Sequence, residues 1–218
     1  MNNAELTALR ASNIPRGVPA TAPVYVAKAR NAVVTDVEGK EYVDFAAGIG
    51  VMNVGHCHPK VVAAVKAQAD LYSHTCFGLV GYESYLRLAE KLNQLTPGDF
   101  PKRTFFLNSG AEAVENAIKI ARYATGRKSV ITFEDAFHGR TFMTLSLTSQ
   151  VNPYKVGFGP YASDIYRIPY AFCYRCPLAL SYPSCGCECA GLLENAFDKH
   201  VNAEDVAAVI AEPVLGEG

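Results

Sequence analysis

The stretch FFLNSGAEAVENAIKIARYATG joins an apolar run to an amphipathic one through Asn, Ser and Gly. This pattern predicts a strand over Thr104–Leu107 and a helix over Gly110–Ala124. Ser109 fits the N-cap, and Glu112 completes an S-x-x-E capping box. The free N–H groups and the dipole of such a helix start favour a bound phosphate, which a glycine lets approach closely. A capped helix without a ligand explains the same residues, so both interpretations stay open.

A second polar group follows the predicted strand Val130–Phe133, in the run FEDAFHGRT. The aromatic ring of Phe137 can stack on a flat ring, and Arg140 can bind a carboxylate through two hydrogen bonds. Taken alone, Phe137 also fits a core position, and Arg140 fits a surface ion pair. Together with a phosphate site, however, they indicate a phosphorylated aromatic cofactor and an acidic substrate.

Five of the seven cysteines lie in one short run, CYRCPLALSYPSCGCEC. Four of their thiolates (Cys173, Cys176, Cys185 and Cys187) would suit zinc or an iron–sulfur cluster. A loop of reduced thiols that only packs against its surroundings is the alternative. The odd number of cysteines argues against a secreted disulfide framework.

Composition excludes several classes of protein. The 218 residues carry a formal net charge of −1, which gives no electrostatic footprint for nucleic acid. No apolar run approaches the roughly 20 residues of a membrane span, and the first residues lack a secretory h-region. Cytoplasm is therefore expected, without a membrane partner. The P-loop motif is absent, and no glycine fingerprint lies between a strand and a helix, which leaves a Rossmann dehydrogenase as a distant third hypothesis.

The elements that must position these residues alternate along the chain. A Pro-rich arm (Asn13–Pro23) precedes a β-hairpin around Glu38-Gly39-Lys40. Two helices follow, in HPKVVAAVKAQADL and YESYLRLAEKLNQLTPG, and a third is predicted near Ala190–Lys199, before the strand VAAVIAEPV. Apolar strands that alternate with amphipathic helices predict an α/β fold, with a mainly parallel sheet covered on both faces. Ligands of such sheets bind at the carboxyl ends of the strands.

Four segments in this order, GIGVMNVGHCHP, NSGAEAVENAIKIAR, FHGRT and EPVLGEG, resemble the class III pyridoxal-phosphate (PLP) aminotransferases. Within them the resemblance is greatest to the branch that uses 4-aminobutyrate. It covers essentially the whole chain and implies fold type I of the PLP-dependent transferases. It also implies a domain arrangement: residues 1–50 form an arm and hairpin of the small domain, and residues 51–218 form an incomplete large PLP-binding domain.

The resemblance also implies a role for each matching residue. In the cofactor site, Ser109, Gly110 and Ala111 hold the phosphate, and Phe137 stacks on the pyridine ring beside His138. Glu212 is an acidic residue near the cofactor. In the substrate site, Arg140 binds the far carboxylate of the donor and Ile49 lines an apolar wall. Glu217 pairs with a mobile arginine when no α-carboxylate is bound.

The chain departs from the family at its end, Gly218, which lies inside the GEG segment. In the family the Schiff-base lysine, the aspartate that protonates the pyridine and the mobile arginine all come later. None of the ten lysines present occupies the matching position. The expectations are therefore that these 218 residues alone do not transaminate, that they fold or dissolve poorly in isolation, and that the full-length enzyme is a homodimer.

The first functional hypothesis is thus a PLP-dependent aminotransferase that moves the amino group of an ω-amino acid of 4-aminobutyrate type to 2-oxoglutarate. Its partners would be a small amino donor and a 2-oxo acid. Two alternatives remain: a non-catalytic PLP- or metal-binding module, and an aminotransferase of the ornithine or acetylornithine type. A lysine able to react with the cofactor distinguishes the enzyme from the binding module.

Overall fold

A computed structural model describes residues 1–217, and the chain divides into two compact units, Met1–Leu88 and Ala89–Gly218. The first unit contains the elements α1 (Asn3–Asn13), β1 (Val26–Arg30), β2 (Val33–Asp36), β3 (Glu41–Val43), the short turn α2 (Ala47–Gly50), α3 (Pro59–Ala69) and the start of α4 (Glu83–Leu95). The second contains α5 (Gly110–Thr125), β4 (Ser129–Phe133), α6 (Phe142–Leu147), β5 (Ile165–Ile168), α7 (Leu192–Lys199) and β6 (Val206–Val209). Short 3₁₀ turns occur at Cys173–Arg175, Glu188–Gly191 and Ala203–Asp205.

The first unit is built on an antiparallel sheet in the order β1-β2-β3. Its β2–β3 turn confirms the predicted hairpin, and the buried carboxylate of Asp36 accepts hydrogen bonds from the amides of Glu38 and Lys40 in that turn. Helix α1 was not predicted from the sequence. Its signal is a capping box in which Asn2 and Glu5 each bond the other's backbone N–H group.

The second unit is an α/β structure with a parallel sheet, as predicted, and its strand order is β5-β4-β6. Successive side chains of the buried β4 point to opposite faces. On one face Val130 packs with Ile118 of α5 and Leu147 of α6. On the other face Ile131 packs with Ala196 of α7. Helices therefore cover both faces of this sheet, and the sheet holds the carboxyl end of β4 in place.

One predicted strand is wrong. Within the described residues, the segment Thr104–Leu107 belongs to no strand, because the pairings of β4 are with β5 and β6 and none includes it. A strand needs a hydrogen-bonded neighbour, and the side chain of Phe105 is 61% exposed. The helix that follows begins at Gly110, as predicted, and continues one residue further, to Thr125.

Membrane spans were sought in the described residues, 1–217. None of the helices found there is both long and apolar enough to cross a bilayer.

Candidate functional site

The start of α5 and the segment after β4 line one open cavity of about 620 Å³ in the second unit. Its lining consists of Gly110, Ala111, Val114, Phe137, His138, Gly139, Arg140 and Thr141. Five of the residues predicted for the site are among them: Gly110, Ala111, Phe137, His138 and Arg140. The two polar clusters found in the sequence therefore meet at the carboxyl side of β4, where α/β sheets bind ligands.

The N-terminus of α5 presents backbone donors to this cavity. The Ser109 side chain accepts a hydrogen bond from the Glu112 amide at 3.2 Å and confirms the predicted N-cap. The predicted capping box is incomplete. It requires the Glu112 carboxylate to accept from the Ser109 amide, whereas here that carboxylate accepts from the Asn108 amide at 2.7 Å. The first-turn amides of Gly110 and Ala111 have no partner within the helix and form the positive end of its dipole, which favours an anion.

His138 is a buried polar group that lines the cavity. Its side chain is 8% exposed, and its Nε2 has no hydrogen-bond partner among the described residues. Burial lowers the pKa of His138 below its ordinary value of 6.5, against the opposing effect of the Glu212 charge. A neutral imidazole with a buried nitrogen that lacks a partner therefore borders the cavity.

This burial predicts how stability varies with pH. The unfolded chain binds a proton at His138 at a higher pH than the folded chain does, so stability falls as pH drops from 7 towards 5. The contribution of His138 to the slope of unfolding free energy against pH cannot exceed about 1.4 kcal/mol per pH unit. Urea unfolding at several pH values should show a smaller slope for His138→Gln. Equal slopes for the two proteins would contradict the prediction.

Thr148 holds the backbone next to His138. Its hydroxyl accepts from the His138 amide at 3.0 Å and lies 3.0 Å from the carbonyl oxygens of Gly139 and Thr144, to which it can donate. Thr148 is fully buried, and its own carbonyl accepts from Lys155 and Arg167. Thr148 was not predicted as a site residue, because a threonine in the mixed apolar and hydroxyl-bearing run TFMTLSLTS carries no signal of its own.

Glu212 fixes the other side of the same segment. One oxygen of its carboxylate accepts from the Phe137 amide at 2.7 Å, and the other accepts from the Gly216 amide at 2.9 Å. Its backbone carbonyl accepts from the Tyr170 hydroxyl at 2.5 Å. The structure therefore places Glu212 beside the site residues, where it binds the protein backbone.

A third anchor comes from α5 itself. The carboxylate of Glu115 accepts from the Thr141 hydroxyl at 2.5 Å and from the Met143 amide at 3.0 Å. The site segment is thus bonded to α5 as well as to the end of β6. Neither Glu115 nor Thr141 was singled out in the sequence, because an acidic residue in a helix is ordinarily a solvated one.

Tyr154 joins two of the predicted residues. Its ring lies 5.0 Å from the Phe137 ring, measured between centroids, and its hydroxyl donates to the Glu217 carboxylate at 2.7 Å. That hydrogen bond raises the pKa of Tyr154 above its ordinary value of 10.0, whereas the charge of Arg140 acts to lower it. In the structure, then, the partner of Glu217 is Tyr154. The pairing of Glu217 with a mobile arginine stays a prediction.

Ile49 lies in the first unit, within the turn α2, and its role in the substrate site also stays a prediction. Its side chain is 97% exposed, and its φ of 59° lies in the left-handed region. Gly48 and Gly50 on either side also have positive φ, and the Asp44 carboxylate accepts from the Ala47 amide at 2.9 Å.

The cysteine cluster does not support the metal hypothesis. Among the residues that the structure describes, no group of three or more His, Cys, Asp or Glu side chains is arranged to hold a metal ion. Cys187 does not line the small cavity shared by Cys173, Cys176, Cys185 and Cys189. The predicted set of four ligands with Cys187 is therefore not assembled, because the chain turns through positive φ at Gly186 and Cys187.

Comparison with known proteins settles the family. The family model "Aminotransferase class-III" matches residues 14–218. The chain belongs to the class III aminotransferases. It is 49% identical over 218 residues to 4-aminobutyrate aminotransferase GabT of Escherichia coli, covering 100% of this chain and 49% of that protein. It is also 49% identical over 216 residues to 5-aminovalerate aminotransferase DavT of Pseudomonas aeruginosa, covering 99% of this chain and 49% of the relative.

Solved structures agree with this membership. An (S)-enantioselective ω-transaminase from Thermomicrobium roseum superposes with a TM-score of 0.87 at 28% identity, over 99% of this chain and 50% of the other. A taurine:2-oxoglutarate aminotransferase from Bifidobacterium kashiwanohense, in complex with PLP and glutamate, gives a TM-score of 0.84 at 25% identity, over 99% and 49%. The predicted fold type is confirmed. This class III chain spans about half the length of the relatives it matches.

Proposed function

We propose that this chain forms part of a PLP-dependent aminotransferase that transfers the amino group of an ω-amino acid, of 4-aminobutyrate type, to 2-oxoglutarate. The observation that carries the proposal is the shared cavity, in which a helix N-terminus with free amides faces an aromatic ring, a neutral imidazole and a guanidinium. The two relatives reported at 49% identity, which act on 4-aminobutyrate and 5-aminovalerate by name, support the donor class.

The cavity residues suit PLP. Ser109, Gly110 and Ala111 would hold its phosphate at the start of α5, and the ring of Phe137 would stack on the pyridine. The free Nε2 of His138 offers the ligand a hydrogen-bond partner. Glu212 would act through the Phe137 peptide that it binds. When bound, PLP withdraws electrons from the amino-bearing carbon of the donor; the protein supplies binding, orientation and proton transfer.

Arg140 would select the donor. It lines the cavity and its side chain is exposed, so it can bind the far carboxylate of an ω-amino acid through two parallel hydrogen bonds. Ile49 would supply an apolar wall for the methylene groups, and Glu217 would pair with a mobile arginine when no α-carboxylate is bound. The alternative donor is of the ornithine type. Its far end carries an amino group as well as a carboxylate, so the site would have to bind both.

We further propose that these 218 residues alone do not turn over. None of the lysines in the described part of the chain lines the cavity, so the amine that must react with the cofactor is expected from sequence outside it. In the complete enzyme we expect a homodimer. A module that binds PLP without catalysis is the competing proposal, and a specific reduced lysine–PLP adduct on this chain would argue against both it and the claim of inactivity.

A chimera tests the donor proposal. Joining this chain to the second half of the E. coli enzyme supplies the missing residues in a relative of 49% identity. We expect transamination of 4-aminobutyrate with 2-oxoglutarate. In that chimera Arg140→Met should lower kcat/KM for 4-aminobutyrate by roughly 10- to 150-fold, since hydrogen bonds to charged groups contribute about 1.5–3 kcal/mol.

Two controls accompany that experiment. The exposed Arg103 does not line the cavity, so Arg103→Met should leave kcat/KM unchanged. Donors without a carboxylate, such as butylamine, should lose nothing in the Arg140→Met chimera. An active chimera that prefers ornithine, or an Arg140→Met chimera that uses 4-aminobutyrate as well as its parent, would contradict the proposed donor class.

A further inference from the structure

Four of the five clustered cysteines face a single small cavity that is separate from the aminotransferase site. Cys173, Cys176, Cys185 and Cys189 line a space of about 20 Å³ together with Phe172 and Tyr182. A cavity of about that size has room for roughly one water molecule, and its lining includes thiols from two separate segments of the chain. All of these cysteines are present as free thiols, and Cys173 is exposed to solvent.

Two separate segments bring the thiols together. Cys173 begins a 3₁₀ turn that Cys176 caps at its end. The second segment runs from Cys185 to Cys189 and reverses direction through left-handed backbone, with φ of 56° at Gly186 and 62° at Cys187. This reversal places Cys185 and Cys189 at the cavity, whereas Cys187 between them is not part of its lining.

We propose that this cavity is a thiol-oxidation site, in which a disulfide joins Cys173 or Cys176 to Cys185 or Cys189. With hydrogen peroxide as oxidant, one thiolate sulfur attacks the O–O bond, which gives a sulfenic acid and, after protonation, one water molecule. The second thiol attacks that sulfur, forms the S–S bond and releases the oxygen as a second water molecule. Two thiols are thereby oxidised and one peroxide is reduced, with no other reactant.

The bond would stiffen the wall of a neighbouring cavity. Phe172 lines the thiol cavity and also a larger one of about 410 Å³, which Glu134 and Tyr170 line after the ends of β4 and β5. Arg175, in the same 3₁₀ turn as Cys173, lines the larger cavity too. Joining this turn to the segment 185–189 fixes both side chains. The proposal rests on the four cysteines that line one cavity and does not depend on the proposed function.

Peptide mapping of the purified chain tests the site. After treatment with hydrogen peroxide, non-reducing mass spectrometry should show one disulfide linking a peptide of the first segment to one of the second. The linked pair should have lost two hydrogen atoms, and dithiothreitol should restore both. Cys187→Ser is the matched control and should form the same link, because Cys187 lies outside the cavity lining. The double variant Cys185→Ser, Cys189→Ser should not form it.

A second readout follows Arg175, which lines the larger cavity. Tryptic cleavage after Arg175 should slow on oxidation in the parent chain and in Cys187→Ser, and should not slow in the double variant. The proposal is wrong if the disulfide forms only within Cys173–Cys176, if Cys187 is the preferred partner, or if peroxide yields no disulfide between the two segments.

Discussion

Replacing Gly139 by alanine is expected to destabilise the second unit by roughly 2–5 kcal/mol and to abolish cofactor binding. Gly139 has φ of +129°, a conformation that L residues rarely adopt. A Cβ there would lie 2.7 Å from the Thr144 hydroxyl oxygen and 2.9 Å from the Ala111 Cβ. Both neighbours are fixed, because Thr144 is fully buried and Ala111 lies in the first turn of α5. The site segment must therefore move away from the helix start.

Gly126→Ala separates the cost of a positive φ from the cost of the close contacts at the Cβ position. Gly126 has φ of 69° at the C-cap of α5, and nothing lies within 4 Å of the Cβ position. Gly126→Ala should therefore lower the free energy of unfolding only by the cost of a side chain at positive φ, about 1 kcal/mol. Urea unfolding of both variants, with PLP titration of each, makes the comparison. If Gly139→Ala were as mild as Gly126→Ala and still bound PLP, the close packing of the site segment on α5 would be refuted.

Glu212→Ala is the second substitution with a large expected effect. It removes an acceptor from the amides of Phe137 and Gly216, and bonds to a charged group are worth about 1.5–3 kcal/mol each. We expect a loss of about 3 kcal/mol in unfolding free energy and weaker PLP binding, because the Phe137 peptide loses the bond that orients its ring. Glu212→Gln keeps one acceptor oxygen and should lose about half as much.

The matched control is Glu204→Ala on the same unit. Glu204 pairs with Arg127 at 3.1 Å, but its side chain is 82% exposed, and such surface pairs contribute about 0–1 kcal/mol. Chemical denaturation gives the stabilities, and the near-ultraviolet signal of the aromatic residues reports the packing of Phe137 against Tyr154. Equal losses for Glu204→Ala and Glu212→Ala would show that Glu212 does not orient the site.

The parts of this structure that sequence predicts are those with local causes. The start of α5 at Gly110 follows from Ser109 three residues before Glu112, and strand β4 follows from a short β-branched run. Both signals lie within one turn or one strand of the element. The cavity residues Phe137 and Arg140 were predictable because they come directly after that strand.

The missed features depend on contacts between distant residues. Phe137 and Glu212 are 75 residues apart, and Thr141 and Glu115 are 26 apart. No local pattern shows that a carboxylate will reach a particular amide. Thr104–Leu107 was misassigned for the same reason, since an apolar run becomes a strand only where another strand pairs with it. The resemblance placed Glu212 near the site, and only the structure shows that it binds the backbone.

The cysteine cluster illustrates the difference between spacing and geometry. Spacing alone offered Cys173, Cys176, Cys185 and Cys187 as a ligand set. The backbone is left-handed at Cys187, and the fourth cysteine that lines the shared cavity is Cys189 and not Cys187. Few non-glycine residues adopt this conformation, so a periodicity argument does not anticipate it.

The central claim is that the start of α5 binds the phosphate of PLP, and titration of this chain with PLP and with pyridoxal tests it most directly. We predict that PLP binds more tightly than pyridoxal and that inorganic phosphate competes. Gly110→Pro should reduce the difference, because proline at the first helical position deletes one of the amide donors and preserves the helix. Borohydride reduction of the parent chain with bound PLP should leave no specific lysine adduct. Equal affinity for PLP and pyridoxal, unchanged by Gly110→Pro, would contradict the account.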